Sequence, residues 1–169
     1  RHCPLPIEKA DGSRIMVDTR IVRGSWNGQP ALIGISRDIT EQEAQRQALA
    51  MSEVRFRSLF ESMAEGVALH ELIVDAAGAP CDYRVIDVNP AYEAILGISR
   101  RQAAGSLGTD LYQASTAPYL TEYAQVAQTG VPLKFETNFE PMGKAFAISV
   151  TRPGPLQFVT IFEDITQRR

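Results

Sequence analysis

Histidine and cysteine are the scarcest reactive residues in this 169-residue chain, at two each. Cys3 and Cys81 stand far apart and in no Cys-x-x-Cys or other metal-like spacing, which points to two free thiols in a reducing compartment. No Ser/His/Asp grouping, P-loop or glycine-rich nucleotide loop is present, so an enzyme is not expected; any kinase or cyclase output belongs outside this chain. Apolar runs fall short of the roughly 18 residues of a membrane span, and no signal peptide is visible. A cytoplasmic chain is expected, with membrane anchoring left open for a longer parent protein. The net charge of −3 favours neither nucleic acid nor an anionic membrane. Residues 1–40 carry six Lys/Arg against four Asp/Glu and the remainder eleven against sixteen, an asymmetry that a solvated surface explains.

What the chain does have is a duplication. Asp38-Ile39-Thr40 near the end of one β-rich run recurs as Asp164-Ile165-Thr166 at the end of another, 126 positions later. Such a period suits one small domain plus a helical connector, not a short solenoid repeat.

Residues 1–40 read as three short strands. Cys3–Glu8 comes first, then a turn over Lys9-Ala10-Asp11-Gly12, then 14–23 with Ile15, Val17, Thr19 and Ile21 on one face. Asn27-Gly28 signals a tight hairpin into a strand over 31–37. A lone meander of this size has little core and needs cover from a neighbour. Thr40-Glu41-Gln42-Glu43 fits a capping box that opens a helix over 41–62. Leu49, Phe56 and Met63 recur along it every seven residues, and Glu53 and Arg57 form an i,i+4 pair. Two strands are expected over 67–74 and 83–88. Asn89-Pro90 then opens a helix ending at Gly97. Ser99 caps a short piece to Gly105, and a longer helix runs from 116 or 117 to 129. Strands over 132–140, 144–151 and 156–163 finish the chain.

An early strand pair and a late trio, separated by helices, give an α+β fold: a five-stranded antiparallel sheet with helices on one face. Leu133, Phe135, Thr137 and Phe139 share a parity with Phe146, Ile148, Val150, Phe158, Thr160 and Phe162, which marks the helix-covered side. The opposite side holds Ala145, Ala147, Val159 and Ile161. It is too apolar to be fully wet, and the helix over 41–62 is the nearest candidate cover.

The run Phe56-Arg57-Ser58-Leu59-Phe60-Glu61-Ser62-Met63-Ala64-Glu65-Gly66-Val67, then Asp87-Val88-Asn89-Pro90-Ala91-Tyr92, Gly97 and Glu163-Asp164-Ile165-Thr166, resembles the PAS sensor domain family. The resemblance spans 53–169. Residues 1–40 look like the C-terminal part of an upstream PAS module, which gives three parts: 1–40, a linker helix over 41–62, and a whole module over 63–169. The resemblance implies sheet order 2-1-5-4-3, a cavity between sheet and helices, and signals passed through terminal helices. It also implies a bacterial parent of the sensor histidine kinase or cyclic-dinucleotide enzyme type, with further domains in the same chain.

Asp38, Thr40, Asp164 and Thr166 are the relay candidates; the chemistry alone makes them cap and turn formers. His70-Glu71-Leu72 matches the histidine-kinase phosphoacceptor box in three letters, but Ile73-Val74-Asp75 follows and the segment alternates as a strand. A sheet histidine is the better reading. No cofactor is identified. Photo-adduct flavin is not expected, because Cys81 lies between Pro80 and Asp82 rather than in Asn-Cys-Arg. Haem is not expected either, because residues 117–129 contain no His. Metal binding is equally unsupported. What remains is an uncharged or weakly polar small metabolite lined by Tyr92, Leu96, Leu107, Leu111, Tyr123, Phe135, Phe146, Phe158, Thr160 and Phe162. For each of these, plain core filling is the competing reading. The stripe Leu49, Phe56, Met63 serves either as a homodimer seam or as packing on its own sheet. The alternative to a ligand sensor is a ligand-free dimerisation spacer.

Overall fold

Asn27 and Gly28 both adopt positive φ, 49° and 77°, as a two-residue hairpin turn requires. That turn joins strands β2 (Arg14–Trp26) and β3 (Gln29–Asp38), which zip together from Trp26↔Gln29 down to Val17↔Asp38. Both strands run longer than their apolar patterns suggest, because pairing continues through the polar residues to the turn itself. Strand β1 (Cys3–Glu8) pairs with β2 on its other side, giving a three-stranded antiparallel sheet in order β1-β2-β3. The computed structural model describes residues 3–168 except the side chain of Cys3, so His2 lies outside the described residues.

The chain divides into two compact units, residues 1–56 and 57–169, with the boundary inside helix α1 (Thr40–Ser62). In the first unit Val17 is the buried hydrophobic residue among those described, whereas Ile21, Trp26, Leu32 and Ile35 are each more than 60% exposed. Three strands alone bury too little apolar surface to make a core.

The expected capping box at the start of α1 is replaced by a different arrangement. The Asp38 carboxylate accepts from the Thr40 backbone N–H at 3.0 Å and from its hydroxyl at 2.6 Å, while Glu43 pairs with Arg46. The Thr40 hydroxyl in turn accepts from the Met16 N–H at 2.9 Å, so it ties strand to helix and is not free to cap. Arg57 also departs from its expected Glu53 pairing. Its guanidinium lies 3.7 Å from Glu61 and 3.9 Å from Asp87.

In the second unit, strands β4 (Gly66–Val74) and β5 (Pro80–Val88) are followed by helices α2 (Pro90–Leu96), α3 (Arg100–Ala103), α4 (Gly108–Leu111) and α5 (Leu120–Thr129). Strands β6 (Leu133–Phe139), β7 (Lys144–Thr151) and β8 (Gln157–Asp164) complete an antiparallel sheet in order β5-β4-β8-β7-β6. In the unit's own count this is 2-1-5-4-3, as expected. First and last strands meet at its centre, with Gly66↔Phe162, Ala68↔Thr160 and His70↔Phe158 opposite one another. A Cβ at Gly66 would fall on the Phe162 ring, so glycine is what lets that ring cross the strand.

Asn89 does more than cap α2. Its carboxamide oxygen accepts from the Tyr92 N–H at 2.9 Å and from the Val67 N–H at 2.8 Å, and its NH2 donates to the Glu65 carbonyl. One fully buried side chain thus fixes the helix start against the first strand. Helix α5 begins later than expected, at Leu120. Pro118 disfavours helical φ/ψ at Ala117, and Tyr119 takes a left-handed conformation (φ 57°) as the N-cap. Tyr83, Val85, Val88, Tyr92, Val126, Val150 and Phe158 are almost wholly buried between sheet and helices. Each full burial of such a side chain contributes about 1.5–3 kcal/mol. On the opposite face Ala147, Val159 and Ile161 are half-buried.

Candidate functional site

The alternation of β4, β7 and β8 aims His70, Phe146, Ile148, Thr160 and Phe162 at the helices, as their shared burial parity reports. Between them and α2, the 112–119 loop and α5 lies a cavity of about 50 Å³. Its wall also includes Tyr83, Tyr92, Leu96, Tyr112, Pro118, Tyr119, Tyr123 and Phe139. At about 10–15 Å³ per water, that is room for about three to five waters or a molecule of a few heavy atoms.

Six of the residues expected at the pocket line it: Tyr92, Leu96, Tyr123, Phe146, Thr160 and Phe162. Four stand elsewhere. Phe158 is wholly buried and stacks on His70 at 4.6 Å between centroids; Phe135 packs on Tyr119 at 5.6 Å. Leu107 precedes α4 and bridges Arg84, and Leu111 packs against the core from outside the cavity. His70, Tyr83, Tyr112, Pro118, Tyr119, Phe139 and Ile148 are the lining residues the sequence reading did not place there. Parity could have found Phe139 and Ile148. His70 is buried on the face it shares with Ala68 and Leu72, in line with its reading as a sheet histidine.

The cavity carries hydroxyls but no charge. Tyr92 and Tyr112 share a 2.8 Å hydroxyl–hydroxyl hydrogen bond, the Tyr83 hydroxyl donates to the Pro118 carbonyl at 3.1 Å, and Thr137 donates to the Tyr119 hydroxyl at 3.3 Å. Burial pushes the Tyr83, Tyr92 and Tyr123 hydroxyls well above the ordinary tyrosine range and raises that of Tyr112, so all four stay protonated. Burial likewise pushes the His70 imidazole down to about 3, a shift that the nearby Phe158 and Ala68 backbone only partly opposes. His70 is therefore neutral at physiological pH. Its Nδ1 is buried without a hydrogen-bond partner. As a ligand for a metal or cofactor, His70 is the one His or Cys on the cavity wall, and among the described residues no group of three or more His, Cys, Asp or Glu could hold a metal ion. Cys81 is exposed at the start of β5.

The relay candidates form two matching junctions. Asp164 accepts from the Thr166 N–H at 3.0 Å and from its hydroxyl at 2.5 Å, and the Thr166 hydroxyl accepts from the Ala145 N–H at 2.9 Å. Asp38, Thr40 and Met16 do the same in the first unit. Those hydrogen bonds, with Lys144 at 3.0 Å, hold the Asp164 carboxyl down at about 2; the Thr40 hydrogen bonds likewise lower Asp38.

Helix α2 touches both ends of the second unit. Tyr92 and Leu96 face the cavity, the Glu93 carboxylate accepts from the Arg100 N–H, and Lys144 donates to the Ile95 carbonyl at 2.7 Å while also pairing with Asp164. Arg100 in turn grips Asp87 at 2.6 Å and Glu61 of α1 at 3.1 Å. Of the seam candidates, Leu49 and Phe56 are exposed by 62% and 60%, and Met63 is half-buried.

Residues 54–128 match the model of the PAS domain family. Among solved structures, an RNA-binding light-oxygen-voltage receptor is similar in fold, with a TM-score of 0.51 at 11% identity over 99% of this chain and 78% of that one. A domain of the sensory box sensor histidine kinase/response regulator from Geobacter sulfurreducens aligns at TM-score 0.46 and 19% identity, over 69% of this chain and 96% of that one. The PAS domain of an HTR-like protein from Haloarcula marismortui aligns at TM-score 0.47 and 20% identity, over 73% and 99%. A comparison with curated proteins finds no match. The unit built around this cavity is thus similar to PAS domains over residues 54–128.

Proposed function

We propose that residues 57–169 are the sensing module of a bacterial multidomain signalling protein, of the histidine-kinase or cyclic-dinucleotide type, and that the cavity takes a small ligand. The observation that carries this reading is the position of α2. The helix walls the cavity with Tyr92 and Leu96 and is bonded, through Arg100 and Lys144, to Glu61 on the incoming helix and Asp164 on the outgoing junction. A ligand that shifts α2 biases both ends, provided it binds two arrangements with different affinity. The small cavity volume supports a metabolite of few atoms over haem or a three-ring flavin.

The matching junctions support a second part of the reading: residues 1–40 are the C-terminal part of an upstream PAS module. Ile39 donates to the Met16 carbonyl as Ile165 donates to that of Ala145, and Val17↔Asp38 reproduces Phe146↔Asp164. The cytoplasm is the proposed location. Among the described residues, no helix is long and apolar enough to cross a membrane.

A homodimer is proposed through the stripe of Leu49 and Phe56 on α1 and Met63 just after it, whose seven-residue spacing supports a helix-to-helix seam. Native mass spectrometry of protein purified from its host tests the ligand: a retained small molecule supports a sensor, and a bare chain with Leu96→Phe leaving the parent's output unchanged supports a spacer instead.

A further inference from the structure

The cavity's polar groups restrict what it can hold, given the sensing role proposed above. No ionisable side chain other than histidine and tyrosine lines it, and burial holds His70, Tyr83, Tyr92, Tyr112 and Tyr123 in their neutral forms. An ion would lose its hydration with no counter-charge within the wall. A purely apolar guest fits poorly too, because the His70 Nδ1 is buried with nothing to bond. That nitrogen needs a donor in one tautomer and an acceptor in the other.

Hydroxyls complete the set. Between Tyr92 and Tyr112 one O–H hydrogen lies in their shared bond, and the other can be donated to a guest. The Tyr119 hydroxyl accepts from Thr137 and keeps its own hydrogen to give. Around these polar points the wall is aromatic and aliphatic: Phe139, Phe146, Ile148, Phe162 and Leu96. Two left-handed residues, Gln113 and Tyr119, hold the loop that brings Tyr112 and Tyr119 to the wall. Such conformations are unfavourable for non-glycine residues and persist where the surroundings enforce them.

We propose that the cavity is selective for short, uncharged carboxamides and alcohols, with the polar head between the His70 Nδ1 and the tyrosine hydroxyls and the alkyl end against Phe146 and Ile148. A primary carboxamide has both a donor and an acceptor, so it satisfies His70 in either tautomer. Its carboxylate analogue, nearly equal in shape, has no donor and carries a charge.

The test is an NMR titration of the whole chain with propionamide, propionate and propylammonium, observing the methyl groups of Leu96 and Ile148, which line the cavity in parent and variant alike. Propionamide is expected to shift these resonances saturably at millimolar concentration, the order expected for a ligand of about five heavy atoms. Propionate and propylammonium should bind at least tenfold more weakly, and His70→Phe should weaken propionamide at least fivefold while leaving the fold intact by circular dichroism. Equal or tighter binding of either ion overturns the selectivity and leaves the sensing reading standing. If no compound binds, xenon decides how much falls. Xenon entering the cavity overturns only the ligand class, whereas xenon excluded overturns the class and the ligand-sensing reading together.

Discussion

Acidification from pH 7.5 to 4.5, above the range in which Asp164 titrates, should destabilise the second unit chiefly through His70. In the unfolded chain an imidazole titrates near 6.5. In the folded unit burial holds it down to about 3. The unfolded state therefore binds a proton that the folded state refuses, and stability is full above pH 6.5 and falls as the pH drops toward 3. At pH 4.5, two units below the unfolded value, the loss reaches about 3 kcal/mol at roughly 1.4 kcal/mol per unit. That is a large share of the roughly 5–15 kcal/mol that holds a small domain folded. Urea unfolding at pH 7.5 and 4.5 measures it, with His70→Phe as the comparison. Phenylalanine keeps a flat ring against Phe158, so the variant should lose about 3 kcal/mol less than the parent over that interval. Contributions from His2 and the carboxylates are common to both proteins and cancel. A histidine resonance from this site titrating near 6.5 in the folded protein, or equal pH sensitivity of parent and variant, would refute the buried neutral imidazole.

Other outcomes follow from particular contacts. Gly66→Ala puts a methyl on the Phe162 ring and should cost about 1–3 kcal/mol by overpacking, largely recovered in Gly66→Ala/Phe162→Leu; chemical denaturation of both variants checks it. Arg100→Ala removes the grip on Asp87 and Glu61. It should cost about 1 kcal/mol or less, since the side chains are partly exposed, yet speed amide exchange over residues 57–62. Asp164→Asn keeps a turn-forming side chain but loses the Lys144 pair, so Lys144 should release the Ile95 carbonyl, seen as faster exchange in the last turn of α2. Leu49→Asp with Phe56→Asp should leave the second unit folded and turn a dimer to monomer in analytical ultracentrifugation; a dimer persisting unchanged removes the seam.

Strand parity and the Asn89-Pro90 helix start are readable because each rests on a local rule, alternation or a cap with a fixed geometry, whereas the sheet order, a matter of long-range pairing, comes only from the family resemblance. The hairpin at Asn27-Gly28 is legible by such a local rule. The cavity was legible only in part. Tyr92, Phe146, Thr160 and Phe162 lie on regular elements, so their direction follows from period. Tyr112, Pro118 and Tyr119 sit in a loop set by two left-handed residues, Gln113 and Tyr119, which no periodicity announces. Phe158 has the right parity but lies behind His70, a depth that pattern cannot give. At the first junction a capping box was the natural reading of Thr40 and Glu43. The Thr40 hydroxyl is instead taken by Asp38 and Met16, and Met16 is a partner 24 residues away that becomes visible only once the sheet forms.

Coupling of the cavity to both ends of the second unit is tested most directly by filling it. Leu96→Phe places a larger side chain in the cavity from α2, standing in for a bound ligand. Hydrogen–deuterium exchange should then change over residues 57–62 and 164–168 as well as around the cavity, and that change should vanish when Arg100→Ala and Lys144→Met are added. Exchange altered only around the cavity, or end effects that survive loss of both bridging side chains, would contradict relay through α2.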